Sequence, residues 1–218
     1  MKKIAVLIAM GMEAGYLIKR MENPKPETAG GKKFLRGKIG EAEVVLHQCG
    51  WGMRNADNGV RALAENYRPD MIINYGVSGS LRHEVGLFET VVAVSSYAAT
   101  GEAYKAGMSA ATDADLAAFA ARTIGATHKS PVATSRGILV AKKRKARLVE
   151  RSGAVCIDME SYTAAKAANE LGVPLLVMRC ISDTLELKSF LVFFKNGAIA
   201  ADKIAACVEA VIRKLAET

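Results

Sequence analysis

Short apolar runs alternate with amphipathic segments along the whole chain, and that alternation limits what it can fold into. Ile4 to Ala9, Met71 to Tyr75, Thr90 to Ser95, Ala154 to Met159 and Leu175 to Ile181 read as strands buried on both faces. Between them, Val60, Leu63, Ala64 and Tyr67 recur at helical spacing within Asn55 to Tyr67. Ser161 to Leu171 and a final stripe of Ile204, Val208, Val211, Ile212 and Leu215 do the same. Thr112 is expected to cap a helix over Asp113 to Ile124. Phe34 to Ile39 and Glu43 to Gln48 read as a strand pair turned at Gly40, Ala133 to Val140 as a further strand, and Gly76 to Ser80 as a Gly-rich turn. The fold class is α/β: one domain over 1–218, in three α/β/α layers around a mixed central sheet.

Composition supports a packed core. Half of the 218 residues are apolar and 24% are charged, which excludes a disordered chain. The net charge is +8, from 30 Lys and Arg against 22 Asp and Glu. The one dense basic run, Lys142, Lys143, Arg144, Lys145 and Arg147, lacks interleaved aromatics and reads as a solvated helix face, so no nucleic-acid partner is expected. Cys49, Cys156, Cys180 and Cys207 have no metal-ligand spacing, which suits a reducing, cytoplasmic setting. The apolar start reads as a first strand rather than a signal peptide, and no run is long enough to span a membrane.

Acids stand at the ends of three strand candidates, where ligands of open α/β sheets bind. They are Glu13, the Asp158-Met159-Glu160 run and the Ser182-Asp183 pair. Each has a plain alternative as a helix-start or turn residue. The turn at Gly76 to Ser80 offers backbone N–H groups to a sugar or anion, and Gly50-Trp51-Gly52-Met53 offers a second close-approach turn. Dinucleotide, P-loop and nucleophile-elbow patterns are absent, and His47, His83 and His128 are scattered. No cofactor or metal is implied.

Ala9-Met10-Gly11-Met12-Glu13, Asn74 to Leu81, Val155 to Ser161 and Val177 to Asp183, in that order, identify a resemblance. The chain is similar to the purine nucleoside phosphorylase and nucleosidase superfamily over essentially its whole length. Within it, the chain looks most like the methylthioadenosine/S-adenosylhomocysteine nucleosidases and the futalosine hydrolases. The resemblance implies cleavage of the bond between a purine and ribose, with a small-molecule purine nucleoside as partner. Asp183 would protonate the departing base, and Glu13 would hold the attacking water. Glu160 would grip the ribose hydroxyls and Met159 would pack on the sugar. Ser182, Val77, Ser78, Gly79, Val140 and Asp158 would complete the substrate site, and Arg179 would support Asp183 or serve in a structural ion pair. A homodimer or larger homo-oligomer is implied. Phe190, Phe193 and Phe194 would supply an aromatic cover or a core patch.

Several residues depart from the nucleosidase pattern. Asp158 stands where a Glu is usual, and Val77 replaces a small polar residue. Ser135 to Val140 lacks the Asp and the stacking Phe expected for adenine, and Ala99 to Met108 looks shortened. The alternative within the fold is a phosphate-dependent phosphorylase giving ribose-1-phosphate, including the adenosylhopane-type relatives. Glu13 disfavours phosphate, although Arg54 and Arg136 remain as cations for it. A non-catalytic nucleoside-binding module is the reading from another class.

Overall fold

The computed structural model describes residues 1–139, 141–184 and 189–218, and the side chains of all of these except 103 and 189–195. Val140 therefore lies outside the described residues, as do the side chains of Phe190, Phe193 and Phe194. In chain order the elements are β1 (Lys3–Ile8), α1 (Gly11–Ile18), β2 (Glu22–Ala29), β3 (Lys32–Ile39), β4 (Ala42–Gln48), α2 (Met53–Tyr67), β5 (Met71–Ser80) and β6 (Thr90–Ala98). Then come α3 (Gly101–Lys105), β7 (Ser109–Ala111), α4 (Ala114–Ile124), β8 (His128–Thr134), α5 (Lys142–Ser152), β9 (Cys156–Asp158), α6 (Ser161–Leu171), β10 (Leu175–Asp183) and α7 (Ser189–Ala216).

A mixed sheet of ten strands occupies the middle layer. β1 shows why both its faces are covered. Ile4, Val6 and Ile8 pack with Leu17, Ala120, Ile204 and Val208 from α1, α4 and α7. Ala5 and Leu7, pointing the other way, pack with Val60, Leu63, Ala164 and Ala168 from α2 and α6. The expected layering is the observed one. Among the described residues no helix is long and apolar enough to cross a membrane.

β5 lies at the centre of the sheet. Met71 to Asn74 pair in parallel with β1, Ile72 to Gly79 pair in parallel with β10, and Gly79 and Ser80 pair with β9. β10 also pairs with β6, β6 with β8, and β8 with β9, so the sheet returns to β5 and closes a ring of strands. The opposite end runs out through β1, β4, β3 and β2.

The structure departs from the sequence expectations at four places. Gly76 to Ser80 is not a turn: it continues β5, because β10 and β9 supply partners for its backbone. The strand expected at Ala133 to Val140 lies at His128–Thr134, where parallel pairing with β6 sets its register, and residues 135–139 leave the sheet. β2 was not foreseen. Among the described residues it pairs only with β3; it has exposed side chains throughout its first half and carries Pro24 and Pro26, so it has none of the alternation a buried face imposes. Asp113 rather than Thr112 caps α4, accepting from Leu116 N at 2.8 Å.

Candidate active site

The carboxyl ends of β1, β5, β9 and β10 meet at one cavity. Glu13, Val77, Ser78, Gly79, Asp158, Met159, Glu160, Ser182 and Asp183 all line it. Of the residues expected at the site, only Val140 lies outside the described ones.

Glu13 is 2% exposed, in the first turn of α1. Its Oε2 accepts Met10 N at 3.0 Å, so it does cap the helix, while its Oε1 accepts Val77 N from β5 at 2.9 Å. Burial pushes its pKa up to about 7, against the pull of those two N–H groups and the Arg179 charge. A carboxylate poised there can take a proton near neutral pH.

Asp183 ends β10 just after a β-bulge. The pairing with β5 slips between Ile181 and Asp183, which re-aims the side chain and sets Asp183 opposite Gly79. Ser182 Oγ donates to Asp183 Oδ1 at 3.0 Å and also lies 3.3 Å from Ser78 O. Burial raises the Asp183 pKa, and the Ser182 hydrogen bond and the Lys145 charge oppose the rise. The apolar run Leu175 to Met178 is fully or almost fully buried beneath it.

Both acids need glycines in β5. A Cβ on Gly76 would stand 2.6 Å from Glu13 Oε1, and one on Gly79 would stand 2.8 Å from Asp183 Oδ2. The Gly-rich stretch thus makes room for carboxylates rather than turning the chain.

Glu160 precedes α6 and does not cap it. Gly52 N, from the turn before α2, donates to its Oε1 at 2.8 Å, and Met159 N donates to its Oε2 at 3.2 Å. Burial, and then the Asp158 charge, raise its pKa. Each oxygen keeps a second lone pair for a hydroxyl of a ligand.

Asp158 borders the cavity, but its carboxylate serves the interior. It accepts Arg179 Nε at 2.7 Å, Thr134 Oγ1 at 2.7 Å, the Ser161 hydroxyl, and the N–H groups of Ser161 and Glu160 at 3.3 Å each. That leaves no capacity for substrate, so the expected binding role gives way to a supporting one. The same network decides between the two readings of Arg179 in favour of the structural ion pair. Arg179 pairs with Asp158 and not with Asp183, and its remaining N–H groups reach Asn74 O, Asn74 Oδ1, Met178 O and Ser161 Oγ.

Lys145 is the site residue that sequence reasoning missed. It lines the cavity and is 5% exposed, although it belongs to the basic run. The available signal was its spacing: Lys145 falls three residues before Leu148, the other buried residue of α5. Arg54 and Arg136 do not line the cavity, whereas Trp51 and Ile138 do, at 57% and 66% exposed.

Residues 3–213 match the phosphorylase superfamily. A 5'-methylthioadenosine/S-adenosylhomocysteine nucleosidase of Shewanella halifaxensis is 26% identical, with 98% of this chain and 100% of that protein covered. One of Maridesulfovibrio salexigens is 29% identical, with 83% and 85% covered. Among solved structures, the S-adenosylhomocysteine nucleosidase from Streptococcus pyogenes in complex with 5-methylthiotubericidin superposes with a TM-score of 0.91 at 20% identity, covering 98% and 97% of the two chains. The futalosine hydrolase of Helicobacter pylori gives 0.90 at 20% identity, covering 98% of each chain. These structures share the fold described above.

Proposed function

The chain belongs to the phosphorylase superfamily, and from that premise we propose that it is a purine nucleosidase. In this reading it hydrolyses the N-glycosidic bond of a nucleoside of the methylthioadenosine, S-adenosylhomocysteine or futalosine kind. The observation that carries the reading is the pair of buried carboxyls, Glu13 and Asp183, on one cavity, both with pKa values raised by burial and neither in an ion pair among the described residues.

Water held by Glu13 attacks the anomeric carbon and gives its proton to that carboxylate. The bond to the base breaks and its electron pair leaves with the purine. Asp183 delivers its proton to the five-membered ring, so the base departs neutral. The free base and the sugar, with any 5'-substituent still attached, result, and solvent returns the proton from Glu13 to Asp183. The sugar passes through an oxocarbenium-like state, as in glycoside hydrolysis. Glu160, fixed by Gly52 N and Met159 N, holds the ribose hydroxyls as positive charge grows on the ring. Met159 packs against the sugar.

A carboxylate at the nucleophile's place supports water over phosphate, because it would repel an anion. Lys145 is the cation that lines the described cavity, and its charge acts on Asp183 at the base end. Exposed Trp51 and Ile138 at the mouth support a second copy closing the site from outside, which light scattering of the purified protein would detect. Four free cysteines fit a reducing, cytoplasmic setting.

The experiment is a nucleoside panel resolved by chromatography, with and without phosphate: methylthioadenosine, S-adenosylhomocysteine, adenosine, inosine and futalosine. Base and the free, unphosphorylated sugar (with any 5'-substituent) are expected without phosphate. Release only with phosphate, alongside ribose-1-phosphate, would overturn hydrolysis and the role of Glu13.

A further inference from the structure

Lys145 has a place in the cavity that the hydrolysis above leaves unused. It is 5% exposed, in the first turn of α5, and lines the cavity together with Asp183. Among the described residues its ammonium has no hydrogen bond, and no carboxylate lies within ion-pair distance. A lysine held in a cavity with no partner among the described residues carries a desolvation cost. The first turn of α5 adds to that cost, because it holds Lys142, Lys143, Arg144 and Lys145 with no acid, at the positive end of the helix dipole. Positive charge is therefore concentrated beside Asp183, the carboxyl group whose charge acts back on Lys145. Burial pushes the lysine's pKa down and the Asp183 charge opposes this, so the two groups sense each other across the cavity.

We propose that Lys145 is a specificity-determining residue that selects a 6-oxopurine base over a 6-aminopurine base by donating to the exocyclic oxygen. This inference rests on the assignment of Asp183 as the acid that protonates the five-membered ring. On a purine, the atom protonated there and the substituent at position 6 share one edge. That substituent is an acceptor in hypoxanthine and guanine and a donor in adenine. A lysine ammonium offers three donors and no acceptor, so it satisfies a carbonyl and meets an amino group donor to donor. As the glycosidic bond breaks, negative charge spreads onto the carbonyl oxygen, and a desolvated ammonium beside it stabilises the departing base. The stretch around Ser135, Gly137, Ile138 and Leu139, which lines the same cavity, lacks the Asp and Phe expected for adenine, in keeping with a different base.

The test compares inosine with adenosine, and methylthioinosine with methylthioadenosine, by kcat/KM in the wild type and in Lys145→Met and Lys145→Gln. Binding of free hypoxanthine and free adenine is measured in parallel by calorimetry. A charged hydrogen bond of this kind corresponds to a preference of about ten- to a hundredfold. The wild type should favour each 6-oxo member by that factor, and both variants should lose most of it. The alkaline limb of the rate profile should also move up, since Asp183 loses a neighbouring cation. A wild-type preference for the 6-amino members, or variants that slow both members of a pair equally, would overturn the proposal while nucleosidase activity stood. If no nucleoside turned over, the nucleosidase reading would fail by itself. A preference for hypoxanthine over adenine that depended on Lys145 would still support the inference, and equal binding of the two bases would sink it.

Discussion

Arg179 Nε stands 2.7 Å from Asp158 Oδ2, in an ion pair whose side chains are 2% and 1% exposed. The pair lies directly beneath Glu160 and fixes the backbone that presents it, since Asp158 Oδ1 accepts the N–H groups of Glu160 and Ser161. Removing one partner strands the other charge. We expect Asp158→Asn to lower the unfolding free energy by about 3–5 kcal/mol. Urea denaturation measures this, and a loss under about 1 kcal/mol would show that the pair contributes little.

In the proposed mechanism, Asp183→Asn removes the proton delivered to the departing base but keeps the shape of the side chain. The variant should fold, bind nucleoside and lose turnover by about 10²–10⁴-fold. Near-normal kcat would show that the acid lies elsewhere.

Glu13 links stability to pH. Its folded pKa, about 7, lies above the ordinary glutamate value of 4.5, so the folded state holds this proton more tightly than the unfolded chain does. That contribution is fully present below pH 4.5 and is lost as pH rises through about 7, on the order of 3 kcal/mol in all at 1.36 kcal/mol per unit. Stability measured between pH 4.5 and 8 should therefore fall more steeply in the wild type than in Glu13→Gln, which has no proton to lose there. Parallel curves would refute the raised pKa. The rate should run the other way, rising toward pH 7 as the carboxylate forms.

Gly79→Ala would put a methyl carbon 2.8 Å from Asp183 Oδ2, and Gly79 has no left-handed backbone to strain. The acid must shift while the strand keeps its path. A displacement near 1 Å can cost about a hundredfold in rate, so kcat/KM should fall on that scale with little change in thermal midpoint. Equal loss of both would mean that the glycine serves packing instead.

How much of this could be read from the sequence depended on what each residue faces. Glu13, Glu160 and Asp183 were legible because each follows an apolar run that burial on both faces makes continuous, and because their order matches a known pattern. Lys145 was not, because a basic run reads as solvated unless its spacing to Leu148 is weighed. The partner of Arg179 was hidden for another reason. Asp158 and Arg179 lie 21 positions apart on different strands, and only the closing of the sheet brings them together. β2 left no trace in the apolar pattern because its side chains face water, and Gly76 to Ser80 resembled a turn because glycines there serve carboxylates on neighbouring elements.

The ring of strands also bears on how the molecule assembles. β10 pairs with β5 through contacts such as Leu175 with Ile72, and with β6 through Met178 with Val92. Such distant pairings make folding slow, since much chain must be ordered before they form. During synthesis β5 emerges long before its β10 partner and waits with one edge open. The strand that seals that edge also carries Asp183, so a chain arrested before closure lacks the proposed acid altogether. Appearance of activity during refolding would then report the last pairing event rather than the first collapse.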